Sequence, residues 1–163
     1  MDILYKRNID LSEDELEALY NLHYSNVEKF ADEYKKYSFL RTQEYKNKWI
    51  NDVKKNNDLI CVACVVNGFL IGFLLLILKK EENYIREFHI AKNYQKDGKT
   101  FRMIVEKTFQ ISQVNKDFTG RIWSDNNEAK RIFRSMGAFL SEGKYVASYD
   151  NVRRWIENKS IKL

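Results

Sequence analysis

The segment from Leu59 to Leu78 constrains this chain more than any other, because twenty consecutive positions carry a single strongly polar side chain, Asn67. That length is enough to cross a bilayer as a helix. At its centre, however, stands Asn67-Gly68, the pair favoured in a type I′ turn, where both central residues take positive φ. Gly72 weakens a helix further, and Lys54 and Lys55 before the run are matched by Lys79 and Lys80 after it, so no charge asymmetry orients a span. The reading is therefore a hairpin, with strands at 59–66 and 69–78. Both strands are apolar on both faces, which places them centrally in a sheet covered by helices on either side. No membrane partner is expected. Cys61 and Cys64 fall on the first of these strands, where residues three apart point to opposite faces. No second cysteine pair or spaced histidines complete a zinc site, so both are read as buried, inert thiols.

The rest of the chain supplies the covering helices. Ser12-Glu13-Asp14-Glu15 is a capping box opening a helix whose stripe runs through Leu16, Leu19, Tyr20, His23, Val27, Phe30 and Tyr34. His23, on that apolar stripe, is read as a packed histidine, and the aromatics from Tyr20 to Tyr37 as core filling. Thr42 caps a second helix with Tyr45, Trp49 and Val53 on one face. Strands are expected at 2–7, 83–90 and 119–124, and a helix at about 99–113. Asp125 or Asn126 caps another helix, with Ala129, Ile132, Phe133 and Met136 inward and Gly137 as its stop. A hairpin around Glu142-Gly143, with its second strand at 145–149, and a short helix at Trp155-Ile156 close the chain. The 163 residues read as one α/β domain: a central mixed, mostly antiparallel sheet flanked by helices.

A formal charge of +5 is a mild bias toward anionic partners, but acidic residues interrupt nearly every basic cluster, so no nucleic-acid partner is expected. Charges at Asp2, Lys6 and Arg7 occupy the place of a signal peptide's apolar segment, and a cytoplasmic location is expected. Gly98-Lys99-Thr100 lies between a strand and a helix, as in a Walker A loop, yet Asn93 stands where its first glycine belongs. What survives is a glycine turn feeding a helix N-terminus, which suits pyrophosphate; an ordinary strand-to-helix turn with a solvated charge run is the other reading. No G-x-S-x-G, H-E-x-x-H or paired zinc ligands occur, and no metal site is expected.

Two segments carry a resemblance. Tyr94-Gln95-Lys96-Asp97-Gly98-Lys99-Thr100 resembles the acetyl-CoA pyrophosphate loop of the GNAT N-acetyltransferase superfamily, written Q/R-x-x-G-x-G/A. Asn126, Ala129, Phe133 and Gly137 fall in register with that family's N-x-x-A-x-x-x-Y/F-x-x-x-G segment. The match covers about residues 58–149. The resemblance implies a GNAT-type acyl-CoA N-acyltransferase fold, acetyl-CoA as co-substrate, and a small-molecule or peptide amine as acceptor. It implies that the fourth strand splays from the fifth, with pantetheine bonded to backbone near Phe88, His89 and Ile90 and one N–H of that stretch stabilising the oxyanion. Gln95, Lys96, Asp97, Gly98, Lys99 and Thr100 are implied at the pyrophosphate, and Asn126 and Phe133 at the pantetheine arm.

The resemblance also defines two departures. Thr100 adds bulk where the loop usually ends in a small residue, although its hydroxyl could donate to phosphate. Phe133 replaces the tyrosine whose hydroxyl protonates the departing thiolate in many members. Ser135, Tyr145 and Tyr149 are substitutes in principle, with packing as their plainer role. Glu87 is expected as the general base, against a salt bridge to Arg86 or nearby lysines; His89 could serve, though its backbone matters more. The rival expectation is a catalytically silent CoA-binding or protein-interaction module of the same fold. A homodimer is compatible with either.

Overall fold

Asn67 (φ 50°) and Gly68 (φ 80°) turn the apolar run back on itself, producing strands β2 (Leu59–Val66) and β3 (Phe69–Leu78) in antiparallel register from Val66↔Phe69 to Leu59↔Ile77. The computed structural model describes residues 1–96 and 98–158. Strand β1 (Asp2–Arg7) pairs with the free edge of β2, and β4 (Asn83–Ile90) with β3, both antiparallel. Strand β5 (Phe118–Gly120) is parallel to β4. The hairpin of β6 (Phe139–Ser141) and β7 (Lys144–Ala147) completes the order β1-β2-β3-β4-β5-β7-β6.

The helices begin where side-chain oxygens are available to cap them. The Ser12 hydroxyl accepts from Glu15 N–H (3.1 Å) while Glu15 accepts from Ser12 N–H (2.9 Å), opening α1 (Glu13–Glu33). Thr42 caps α2 (Gln43–Lys55), Asn126 caps α4 (Asn127–Ser135), and Ser148 caps α5 (Tyr149–Glu157). The Ser148 cap draws Tyr149 into a helix rather than the expected strand. Helix α3 (Lys99–Ile111) ends two residues before its expected limit. Tyr34 leaves the α1 stripe, because a 3₁₀ segment from Lys35 to Arg41 takes over and buries Tyr37 and Leu40 in its place.

Helices α1 and α2 bring Leu16, Leu19, Trp49 and Val53 onto one face of the sheet, against Cys61, Phe73 and Leu75. Helices α3, α4 and α5 cover the other, with Ile104, Phe133 and Trp155 against Val62, Cys64, Leu74 and Leu76. The two cysteines thus sit in different layers, and burial pushes the Cys61 thiol up to about 12, keeping it an unreactive thiol. Phe73, Leu74, Leu75 and Leu76 are at most 1% exposed, and each such burial is worth about 1.5–3 kcal/mol. No helix among the described residues is long and apolar enough to cross a membrane.

The fifth strand is shorter than its pattern suggests. Pairing between β4 and β5 covers only Asn83–Ile85 against Phe118–Gly120, and residues 121–124 leave the sheet instead of extending it. Two features hold the closed end. A Cβ on Gly120 would stand 3.2 Å from Ile85 O, so glycine permits the close approach. Asn83, fully buried, donates to Gln113 O (2.9 Å) and Lys116 O (2.8 Å) and accepts from Gln113 N–H (2.9 Å). Beyond Ile85 the strands part, and β4 has an unpaired edge.

Candidate functional site

That unpaired edge borders a cavity of about 380 Å³. Its walls come from α1 (Asn26, Val27, Phe30), the end of β4 (Phe88, His89, Ile90), the turn at Gln95 and Lys96, and α4 with its cap (Asn126, Ile132, Phe133). Lys29, Lys92, Lys96 and Arg131 reach its lining against one carboxylate, Glu128. The excess of positive charge suits a polyanion with an apolar portion.

Backbone alternation decides which groups face the gap. Ala91 N–H donates to Ile71 O (2.8 Å), so in an antiparallel ladder the next inward-bonded residue is His89, opposite Phe73. Phe88 and Ile90 then direct their backbone groups to the unpaired side. The Ile90 carbonyl is already taken, by Asn26 Nδ2 (3.0 Å) and Gln95 Nε2 (2.7 Å). The expectation of backbone bonding at all three residues is therefore narrowed: His89 is turned to β3, and Ile90 offers its N–H alone. Gln95 uses its side chain to tie the turn to β4.

Gly98 takes φ 65° as the residue before α3, a left-handed conformation that glycine adopts at little cost. The first bond closing the helix runs from Arg102 N–H to Gly98 O (3.0 Å), so the amides of Thr100 and Phe101 precede the intrahelical ladder. Asp97 lies outside the described residues, and Lys99 lies in the first turn of α3. Thr100 departs from expectation. Its side chain is fully buried rather than facing phosphate, and its hydroxyl has no partner among the described residues. The methyl fits the hollow at Gly72, where a Cβ would meet Thr100 Cγ2 at 3.2 Å. The extra bulk is absorbed by the sheet.

Asn126 is the cap of the two offered, and its Oδ1 accepts from Ala129 N–H (3.1 Å). Phe133 is buried against Gly120 and lines the cavity. None of the three candidate hydroxyls replaces the absent tyrosine: Ser135 donates to Ile132 O (2.6 Å), Tyr145 is buried in β7, and Tyr149 stacks on Phe109 (4.5 Å). None of the three lines the cavity.

Glu87 does not join the cavity lining. It points to the α1/α2 face of β4, opposite Leu75. Its Oε1 accepts from Trp49 Nε1–H (3.3 Å), and Oε2 lies 2.9 Å from His89 Nε2 and 3.4 Å from His23 Nδ1. Arg86, the expected salt-bridge partner, is 3.8 Å from Asp52 instead. Burial alone would raise the Glu87 pKa, but hydrogen bonds and then charge from His23 and His89 hold it well below the usual carboxylate range. Burial pushes His89 down, only partly offset by Glu87. The two shifts pull apart, since the carboxylate gains most from a charged imidazole that desolvation disfavours. An ionised Glu87 beside a neutral His89 reconciles them, because a neutral N–H still donates. A carboxylate so stabilised is a weak proton acceptor.

Sequence reasoning missed Asn26, Lys29, Lys92 and Arg131. Asn26 lies three residues after His23, on the same helical face, which is the one signal that could have found it. His23 is packed as expected, stacked on Trp49 at 5.2 Å, but it also bonds through both ring nitrogens.

No protein-family model and no curated protein sequence matches the chain. Solved structures do. The PaiA N-acetyltransferase of Thermoplasma acidophilum, in complex with coenzyme A, matches at TM-score 0.66 and 17% identity over 90% of this chain and 97% of that one. An acetyltransferase from Thermus thermophilus matches at 0.65 and 14%, over 91% and 97%. Tetrahymena GCN5 matches at 0.63 and 12%, over 91% and 96%. At these identities the likeness shows the fold, which is that of the GNAT N-acetyltransferases.

Proposed function

We propose that this chain is an acetyl-CoA-dependent N-acetyltransferase in which an amine attacks the thioester directly. The observation that carries the reading is the unpaired edge of β4 over a cation-rich cavity, with the Gly98 turn and the α3 N-terminus at one end. Pantetheine would bond along that edge as an added strand, and the diphosphate would meet Lys96 and the first amides of α3. The coenzyme A bound by the PaiA neighbour supports acetyl-CoA as the co-substrate.

In the reaction the amine nitrogen bonds to the thioester carbon, the C–S bond breaks, and the thiolate leaves. An N–H of Phe88 or Ile90, on the unpaired edge, would stabilise the oxyanion, a contribution of roughly 3–4 kcal/mol when such a donor is well aligned. Glu87 is bound to other partners and Phe133 carries no proton, so water in the cleft takes the ammonium proton and returns one to the thiolate. The cavity's contribution is then positioning and electrostatics.

Calorimetric titration with acetyl-CoA, paired with thiol release over a panel of amines, tests the assignment. Binding at micromolar to millimolar concentration with release is expected. Binding without release across the panel favours a silent CoA-binding module, the reading that Phe133 supports, and no binding at millimolar acetyl-CoA refutes both. The proton route has its own test. The pH at which kcat/KM levels off should follow the pKa of each acceptor amine; one fixed value for amines of different pKa would reveal a protein base.

A further inference from the structure

The chain has two histidines, 66 positions apart, and the fold brings their rings into contact beside one carboxylate. His23 Nδ1 lies 3.0 Å from His89 Nε2, which lies 2.9 Å from Glu87 Oε2, and the third side of the triangle is 3.4 Å. Ionised Glu87 only accepts, and each imidazole nitrogen either donates or accepts. If both donate to Oε2, the two N–H groups crowd within 3.0 Å of each other. If one donates, the other nitrogen sets its lone pair toward the carboxylate. A cation at the centre would instead meet all three as lone pairs, inside a site where His23 is 2% and His89 11% exposed.

We propose that His23, Glu87 and His89 form a binding site for a divalent ion of the zinc class. An ion at about 2.0–2.1 Å from three tetrahedrally disposed N and O donors separates them by roughly 3.3–3.4 Å. The observed sides of 2.9, 3.0 and 3.4 Å need to open by no more than about 0.5 Å to match. Two imidazoles and one carboxylate are a recognised zinc set with a fourth position left for water, and the same nitrogen-rich donors favour zinc over magnesium or calcium.

The surrounding groups orient the ligands. Tyr45 Oη stands 3.0 Å from His23 Nε2, positioned to accept its N–H in the tautomer that presents the Nδ1 lone pair to an ion. Trp49 Nε1–H binds Glu87 Oε1 (3.3 Å), leaving Oε2 for the ion. Such outer partners are what distinguish a built site from a chance cluster. The ion would fasten α1 to β4 one helical turn from Asn26, whose amide holds the Ile90 carbonyl at the cavity rim. It lies on the face of β4 opposite Phe88, and its existence does not depend on the acetyl-transfer reading.

The test uses the full, untagged chain stripped with chelator. Dialysis against micromolar Zn²⁺ should leave about one ion per chain, the melting temperature should rise by several degrees, and Co²⁺ in place of zinc should give visible d–d absorption of a low-coordinate site. Glu87→Gln and His89→Ala should each weaken zinc binding at least tenfold. Because His23 is buried and its replacement risks misfolding, Tyr45→Phe supplies a gentler variant, expected to lose affinity while remaining folded. Failure of the wild-type chain to retain zinc and to give a cobalt spectrum overturns the proposal, as does unchanged zinc affinity in both Glu87→Gln and His89→Ala.

Discussion

Replacing Gly72 by alanine probes the link between the sheet and the glycine turn before α3. The new Cβ would stand 2.9 Å from Ile104 Cδ1, 3.2 Å from His89 O and 3.2 Å from Thr100 Cγ2. Ile104 is fully buried and has little room to swing, while the other two contacts are a β4 carbonyl and the first turn of α3. Inserting a methyl into so tight a place costs about 1–3 kcal/mol. Glycine-to-alanine exchange returns about 0.4–1 kcal/mol by restricting the unfolded chain, leaving a net loss of roughly 1–2 kcal/mol. For a chain of this length that lowers the melting temperature by about 2–8 °C, measured by calorimetry on both proteins. The strain falls on the two elements that frame the cavity, so acetyl-CoA affinity should drop as well, by about fivefold if 1 kcal/mol reaches the site. A variant as stable as the parent with unchanged acetyl-CoA affinity would refute the idea that Thr100 is seated in the Gly72 hollow.

Other perturbations read other parts of the structure. Asn83→Ala strips three hydrogen bonds from the closed end of the wedge and should cost roughly 2–4 kcal/mol by urea unfolding; a loss below about 1 kcal/mol would contradict that role. Burial would raise the Glu82 pKa, but hydrogen bonds from Lys144, Thr119 and Lys79 hold it at about 2. The stability it contributes is therefore present above the ordinary carboxylate pKa and is lost as pH falls toward 2. With its lysine partners 31% and 44% exposed, the contribution is discounted to about 1–2 kcal/mol. Glu82→Gln should destabilise by that amount at pH 7, with the gap from wild type narrowing as the solution is acidified; a gap independent of pH would show that charge is not its basis. Lys96→Ala and Arg131→Ala should each raise the acetyl-CoA KM by about two- to fivefold at low salt, with kcat nearly unchanged, and the difference should shrink at high ionic strength.

Local signals were read well where one physical rule acted alone. Asn67-Gly68 demanded positive φ, and the Ser12–Glu15 box satisfied its own amides; neither depends on distant residues. The boundaries that failed depend on what lies elsewhere. Residues 121–124 have strand character, but β5 stops because the chain must reach the Asn126 cap, and α4 then fills the gap with Phe133. Tyr149 looked like the end of a strand until Ser148 capped a helix. The same distinction runs through the site. Gln95, Lys96, Asn126 and Phe133 could be named through the family resemblance, since two local segments carry it. Arg131 had no such signal and Asn26 only its spacing from His23, because their place at the cavity is fixed by how α1 and α4 cross the sheet.

Thr100 and Phe133, the two departures from the family pattern, have different physical standing once the fold is known. The consequence of Thr100 is decided by a residue 28 positions away: Gly72 on β3 leaves space for its methyl, so the backbone at the α3 N-terminus can stay where a smaller residue would put it. Here a deviation in one motif is balanced by a glycine in another strand. Phe133 has no such counterpart. Its ring packs beside Gly120 at the cavity wall, and none of Ser135, Tyr145 and Tyr149 brings a hydroxyl there. In the proposed acetyl transfer, thiolate departure would rely on solvent, and this chemistry tolerates that better than most, since a thiolate is a far weaker base than an alkoxide and needs less protonation to leave. Loss of the acid bears on rate, while the cavity, the unpaired edge of β4 and the positive lining that would hold the donor are untouched by it.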